Sequence, residues 1–288
     1  MSLWHVVVLA VVQGLAELLP VSSSAHVVVA EKLMGMDPSS PEMTLLLVML
    51  HTGTMFAVIV YFWKQWLRTY FQTAEAFKTF AVFLIAATTL TVAVGGGLIE
   101  IIEHFGFRGV PHAEVEQLFS HLELIAPALA AAGVLIIIAG IYEKRHPPAP
   151  SPDGGLQIKQ ASLIGIIQGL SLPFRGFSRS GATISTGLLA RVTKQRAETF
   201  SFALAVVLTP LADGRELWRL IETGHVAGGA AWTSALMPSV LGAFCAFLAG
   251  LVALKWLSKW LEGDRWYLFG IYCLAAAVAV AFLHHAGY

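Results

Sequence analysis

The chain has 288 residues, of which 57% are hydrophobic and 12% charged, against about 45–50% apolar and 25% charged in an average soluble domain. That composition excludes an ordinary soluble protein and predicts an integral membrane protein. Eighteen Lys and Arg balance eighteen Asp and Glu, which argues against nucleic acid as a partner, and Cys245 and Cys273, both inside apolar runs, read as buried free thiols and not as a disulfide framework or metal site.

The first region, Leu3–Leu33, is apolar at both ends but interrupted by "QGLAELLPVSSSAH", Gln13 to His26. It has no Lys or Arg ahead of the apolar run and carries Gln13 and Glu17 within it, so it is read as part of the mature protein and not as a cleaved signal. Each half is about 15 residues, roughly 22 Å as helix, too short for a hydrocarbon core of about 30 Å. A re-entrant helical hairpin is predicted, its irregular centre kept out of lipid. Three apolar spans follow, Met43–Trp63, Phe77–Ile102 and Leu122–Tyr142. The linker "HPPAPSPDGG", His146 to Gly155, divides the chain near its midpoint.

The second half repeats the order. Gln160–Val192 is again broken by Pro, Gly and Ser, and its "IIQGLSLPFRGFSRSGAT" shares with the first hairpin a Gln-Gly-Leu opening, a Leu-Pro break and a Ser-rich turn. Thr199–Leu220, Trp232–Trp256 and Trp266–His284 complete six spans. Lys64, Arg68, Lys78, Lys144, Arg145, Lys159, Arg191, Lys194, Arg196, Lys255, Lys259 and Arg265 fall on one side, which the positive-inside rule makes cytoplasmic, against Lys32, Arg108, Arg215 and Arg219 on the other. Three spans per half turn the second half upside down. The expected fold is all-α: a polytopic membrane bundle of six transmembrane spans plus two re-entrant hairpins, a single membrane domain, 1–288, built of inverted repeats over 1–145 and 156–288.

An ionisable side chain at mid-bilayer costs on the order of 2.5–3.5 kcal/mol, and Glu17, His26, Arg175 and Arg179 all belong to the two hairpins. The bland explanation is mutual neutralisation across the repeat interface. Against it stands the density of hydroxyls: Ser22, Ser23 and Ser24 in one turn, Ser178, Ser180 and Thr183 in the other. In "GFSRSGAT", Gly176 and Gly181 permit tight turns, hydroxyls and helix-start N–H groups donate, and Arg179 adds a five-donor cation, the chemistry of an anion cradle suited to phosphate. On the first hairpin Glu17 shares a helix face with Gln13. His26 follows Ser23 by three positions, so an imidazole base beside a serine nucleophile is expected, with Glu17 orienting the imidazole or helping to hold a divalent cation.

These motifs resemble the bacterial undecaprenyl diphosphate phosphatase family, also known for bacitracin resistance, in which (E/Q)xxxE followed by PVSSxxH pairs with PGxSRSxxT. The resemblance runs the whole length of the chain and is carried by "QGLAELLPVSSSAH" and "RGFSRSGAT". It implies hydrolysis of undecaprenyl diphosphate to the monophosphate lipid carrier at the outer face of the bacterial cytoplasmic membrane, aided by Mg²⁺ or Ca²⁺. Carried over, Glu17, Ser23, His26 and Arg179 form the catalytic set, with Gln13, Ser22, Arg175, Gly176, Ser178, Ser180 and Thr183 binding substrate and Glu17 as the metal carboxylate. Expected partners are the polyprenyl diphosphate, membrane lipid and, as a homodimer, a second copy. Two departures stand out: Gln13 replaces a first glutamate, and Arg175 replaces the proline before Gly176. Together they add two positive charges, so tighter diphosphate binding and less metal dependence are expected.

A carrier that flips a polyprenyl phosphate through the same anion site is the rival reading, since inverted repeats with broken helices are also a transporter architecture. His51, mid-span in "MLHTGTMF" with Thr54 nearby, is read either as a proton donor facing the site or as a hydrogen-bonded packing residue beside Gly53. His104, His112, His121 and His225 are read as solvated loop residues. Trp63, Trp66, Trp256, Trp260 and Trp266 are assigned to an aromatic belt at the cytoplasmic interface.

Overall fold

The computed structural model describes residues 2–36, 40–106, 122–148, 154–222 and 229–286. Asp37, Arg108, His112, His121, His225 and the centre of the linker lie outside the described residues. Ten α-helices carry the described chain: α1 Leu3–Leu18, α2 Ser23–Leu33, α3 Pro41–Tyr70, α4 Ala74–Gly106, α5 Leu122–Arg145, α6 Ile158–Ser171, α7 Arg179–Leu189, α8 Lys194–Glu222, α9 Gly229–Glu262 and α10 Trp266–His285.

Helix boundaries follow from local chemistry. The Ser2 hydroxyl accepts from His5 N and starts α1, while Ser40 accepts from Met43 N ahead of Pro41 and Glu42 in the first turn of α3. Pro20 and Pro173 follow closely on the ends of α1 and α6, where a ring without an N–H cannot continue the ladder. The four helices α1, α2, α6 and α7 have 16, 11, 14 and 11 residues, or about 24, 16, 21 and 16 Å. Each is shorter than the roughly 30 Å a span requires. The sequence breaks at Leu19–Ser22 and Leu172–Ser178 are therefore real interruptions.

Five helices, α3, α4, α5, α9 and α10, are long and apolar enough to cross a membrane. The expected fourth span is present as the 29-residue α8, but it falls outside that group. Glu198, Asp213, Arg215 and Glu216 within it lower its hydropathy. His104, expected in a loop, sits exposed in the last turn of α4. The aromatic belt also divides. Trp63 and Trp256 are exposed, whereas Trp66 is buried and donates to Thr199 O, and Trp266 is buried and donates to Ser185 Oγ. Both free cysteines are present, Cys273 buried and Cys245 only partly so.

Helix neighbours occur in pairs. α1 packs on α9 while α6 packs on α4; α1 adjoins α2 while α6 adjoins α7; α3 meets α8 and α5 meets α10. Exchanging the first five helices with the last five, in order, maps each of these contacts onto another or onto itself. Glycines mark the closest approaches: a Cβ on Gly14 would lie 2.6 Å from Ala246 O, and one on Gly169 2.8 Å from Thr91 O. Where α5 crosses α10, Gly133 and Gly270 face each other, a Cβ on Gly270 falling 2.5 Å from Gly133 O. Small residues allow this backbone-to-backbone packing, which van der Waals contact stabilises in an apolar bundle. Gly270→Ala is expected to destabilise the bundle by about 1–3 kcal/mol through overpacking, read as a lowered thermal midpoint in detergent. Gly96→Ala, whose Cβ meets nothing within 4 Å, should leave the midpoint unchanged.

At the helix ends away from the hairpin breaks, Lys194 bridges Glu143, at 3.3 Å, and Asp264. Burial works against the ammonium, but the two carboxylates outweigh it and hold the Lys194 pKa above its ordinary value.

Candidate active site

The two breaks meet, and two carbonyls of the first are met by side chains from distant elements. Ser180 Oγ donates to Leu19 O at 3.2 Å, and Cys273 Sγ lies 3.3 Å from Pro20 O. Unpaired carbonyls in an apolar interior each cost a few kcal/mol, so these contacts are what permits non-helical chain there. Ser22 has φ 66 and ψ 95, a sparsely populated conformation for a residue with a Cβ. Gly176 occupies the second break at φ 101, where glycine is free of that cost.

Glu17 is the hub. Its Oε2 accepts from Ser23 Oγ at 2.5 Å and from Gln13 Nε2 at 3.2 Å, and its Oε1 accepts from Arg179 Nη2 at 2.5 Å, across 162 residues of sequence. The one-turn spacing of Gln13 and Glu17 delivers the pairing expected on α1. Arg179, the first residue of α7, reaches across the hairpin junction to complete it. The pair keeps some access, with side-chain exposures of 15% for Glu17 and 23% for Arg179. An ion pair with a hydroxyl donated onto the same carboxylate is more than neutralisation. It aligns a proton acceptor with an alcohol and leaves a guanidinium beside both.

His26 lies elsewhere than the Ser23–His26 pairing would have it. Its Nδ1 is 2.8 Å from Ser22 O and its Nε2 2.8 Å from Tyr272 Oη, against which the ring also stacks. A carbonyl only accepts, so Nδ1 carries the proton and, in the neutral ring, Nε2 accepts from the tyrosine. The imidazole clamps the strained Ser22 and joins α2 to α10, and Glu17 is the group in contact with Ser23. Sequence spacing could not show this, because Tyr272 is 246 positions away.

The hydroxyls of the second turn are largely spent on its own architecture. Ser178 Oγ accepts from Gly181 N at 3.1 Å as the N-cap of α7; Thr183 Oγ1 donates to Arg179 O at 2.8 Å and lies 2.5 Å from Ser201 Oγ. With Ser180 on Leu19 O, these side chains are buried. They fix the start of α7, of which Arg179 is the first residue. Ser22 and Ser24 are hydrogen-bonded at 3.2 Å. Arg175, half-buried, acts electrostatically on Glu31, a buried residue of α2 that sequence reading passed over.

His51 Nδ1 lies 3.4 Å from Asp213 Oδ1, joining α3 to α8, and His51 is close enough to Glu17 and Arg179 for their charges to act on one another. The contact with Asp213 gives His51 a polar partner, which suits both readings of it; Thr54 Oγ1 donates to His51 O. Asp213, with Arg215 and Glu216 beside it, did not stand out as an isolated charge in the sequence. A metal finds little here. Among the described residues no group of three or more His, Cys, Asp or Glu is placed to hold an ion, and both Glu17 oxygens are already engaged. These side chains alone do not constitute a divalent-cation site.

Known proteins match this arrangement along its length. The bacitracin resistance protein BacA family matches residues 6–279. An undecaprenyl-diphosphatase 2 of Acinetobacter baylyi is 57% identical over 278 residues, 96% of this chain and 95% of that protein. An undecaprenyl-diphosphatase 2 of Burkholderia thailandensis is 32% identical, and an undecaprenyl-diphosphatase 1 of Burkholderia pseudomallei 33% identical, each over 99% of both chains. With a hub that ties the two signature turns together and a match over nearly all its residues, the chain belongs to the bacitracin resistance protein BacA family.

Proposed function

We propose that this membrane protein hydrolyses undecaprenyl diphosphate to undecaprenyl phosphate and inorganic phosphate. The observation that carries the reading is Glu17 holding the Ser23 hydroxyl and the Arg179 guanidinium on one carboxylate. The relatives' names supply the substrate. Phosphoryl transfer asks a protein mainly for positioning and charge stabilisation, and the three residues provide both. The terminal phosphate sits against Arg179 and the α7 N-terminus. Ser23 Oγ attacks phosphorus as its proton passes to Glu17, and the bond to the bridging oxygen breaks with its electron pair leaving on the lipid phosphate. Water then attacks the phosphoserine and restores Ser23.

In the same reading the two broken segments are re-entrant hairpins and the halves are inverted repeats, which the exchange of helix contacts supports. α8 is the sixth span, with Glu198 buried in the bundle and Asp213 set against His51 of α3. The positive-inside bias sets the site toward the outer face of the bacterial cytoplasmic membrane. The lipid tail enters from the bilayer. That same symmetry favours the carrier as the second reading, with the site binding but not cleaving; release of phosphate separates the two.

Because the protein's donor set is too small for a metal, EDTA-treated enzyme is expected to keep most of its phosphate release, with added Mg²⁺ stimulating Gln13→Glu more than the wild type. An absolute metal requirement in the wild type would contradict this.

A further inference from the structure

We propose that His51, held by Asp213, is the acid of the reaction and delivers the proton to the oxygen that leaves with the lipid phosphate. This rests on the hydrolase reading and deepens it.

The hub accounts for one proton only. Glu17 receives the proton of Ser23, and nothing in the Gln13, Ser23, Arg179 set can give one to the departing oxygen, because Arg179 stays charged throughout. His51 stands in the right relation to supply it. Its ring comes from the middle of α3, which packs against both α1 and α8. Its Nδ1 is 3.4 Å from Asp213 Oδ1, so the carboxylate orients the ring as the third member of a catalytic triad does and leaves Nε2 for the substrate. Charged groups facing the imidazole are Asp213 from α8, Glu17 from α1 and Arg179 from α7. A carboxylate brought into a membrane bundle needs a partner, and His51 is the one Asp213 contacts.

The steps balance. As Ser23 Oγ bonds to the terminal phosphorus and its proton moves to Glu17, the bridging P–O bond breaks and the lipid phosphate oxygen takes the Nε2 proton of His51. In the second half, water bonds to phosphorus, its proton returns to His51, and the Ser23 oxygen leaves and recovers its proton from Glu17. The enzyme is regenerated with no external acid or redox partner.

The test compares full-length wild type, His51→Gln and Asp213→Asn in detergent micelles. Phosphate release from a C55 diphosphate is followed across about pH 5 to 9, the range in which imidazole titrates, alongside affinity for a non-cleavable methylene-bridged polyprenyl diphosphonate. Wild-type rate should fall on the alkaline side as the acid is lost. His51→Gln should lower the maximum by about 10²-fold, within the range for removal of a general acid, and abolish that alkaline limb. Asp213→Asn should shift the limb to lower pH, because the charge that stabilises the imidazolium is gone. Analogue affinity should stay within about threefold in both, as expected for groups acting in the transition state. A His51→Gln enzyme with the wild-type rate and pH limb overturns the proposal, as does a parallel loss of analogue affinity. Absence of phosphate release from the wild type would instead sink the hydrolase reading itself.

Discussion

Glu17→Gln is expected to reduce phosphate release from a C55 diphosphate by about 10³-fold, inside the 10²–10⁴ range for removal of a general base. The substitution is nearly isosteric, so the loss comes from chemistry. A primary amide cannot take the Ser23 proton, and its nitrogen would point a donor at one of two groups that are themselves donors, Ser23 Oγ or Arg179 Nη2, each now 2.5 Å from a carboxylate oxygen. The signature is a fall in kcat with KM little changed, because Arg179, freed of its carboxylate, still meets the phosphate. Steady-state rates in micelles check it, and retention of activity within tenfold of wild type contradicts it. A thermal scan of the same variant separates this from unfolding.

Arg179→Lys carries the second large effect, a loss of about 10²–10³-fold, the magnitude found when one preorganised donor to a developing charge is removed. Charge is kept, and lysine is a good helix former at the first position of α7. The planar fork is lost. Arginine can hold Glu17 Oε1 through Nη2 and still turn its remaining N–H groups to phosphate oxygens, which a single ammonium cannot match in direction. Both kcat and the affinity for the diphosphonate analogue should fall. A Lys variant equal to wild type in both would show that charge alone suffices and remove the geometric role assigned to the arginine.

What the sequence made legible was whatever short-range rules govern. Proline and helix length located both breaks, and four-residue spacing paired Gln13 with Glu17. Repetition of the Gln-Gly-Leu and Leu-Pro-Ser pattern brought the two turns into one site before any contact between them was known. Contacts between remote elements were out of reach: His26 on Tyr272, Trp66 on Thr199, and Ser180 on Leu19 each join positions more than a hundred residues apart. The same blindness made Ser180 and Thr183 look like ligand donors, when the demand for satisfied backbone in an apolar interior claims their hydroxyls first. Asp213, with Arg215 and Glu216 beside it, gave no local sign of its contact with His51 in α3.

The central claim is that the Glu17 hub cleaves a lipid diphosphate. Purified wild-type protein, incubated with a C55 diphosphate in micelles, should release inorganic phosphate and C55 monophosphate in equal amounts, with Glu17→Gln at background. No release above that variant, together with transfer of a polyprenyl phosphate across vesicles containing the wild type, would contradict the claim and make the site that of a carrier.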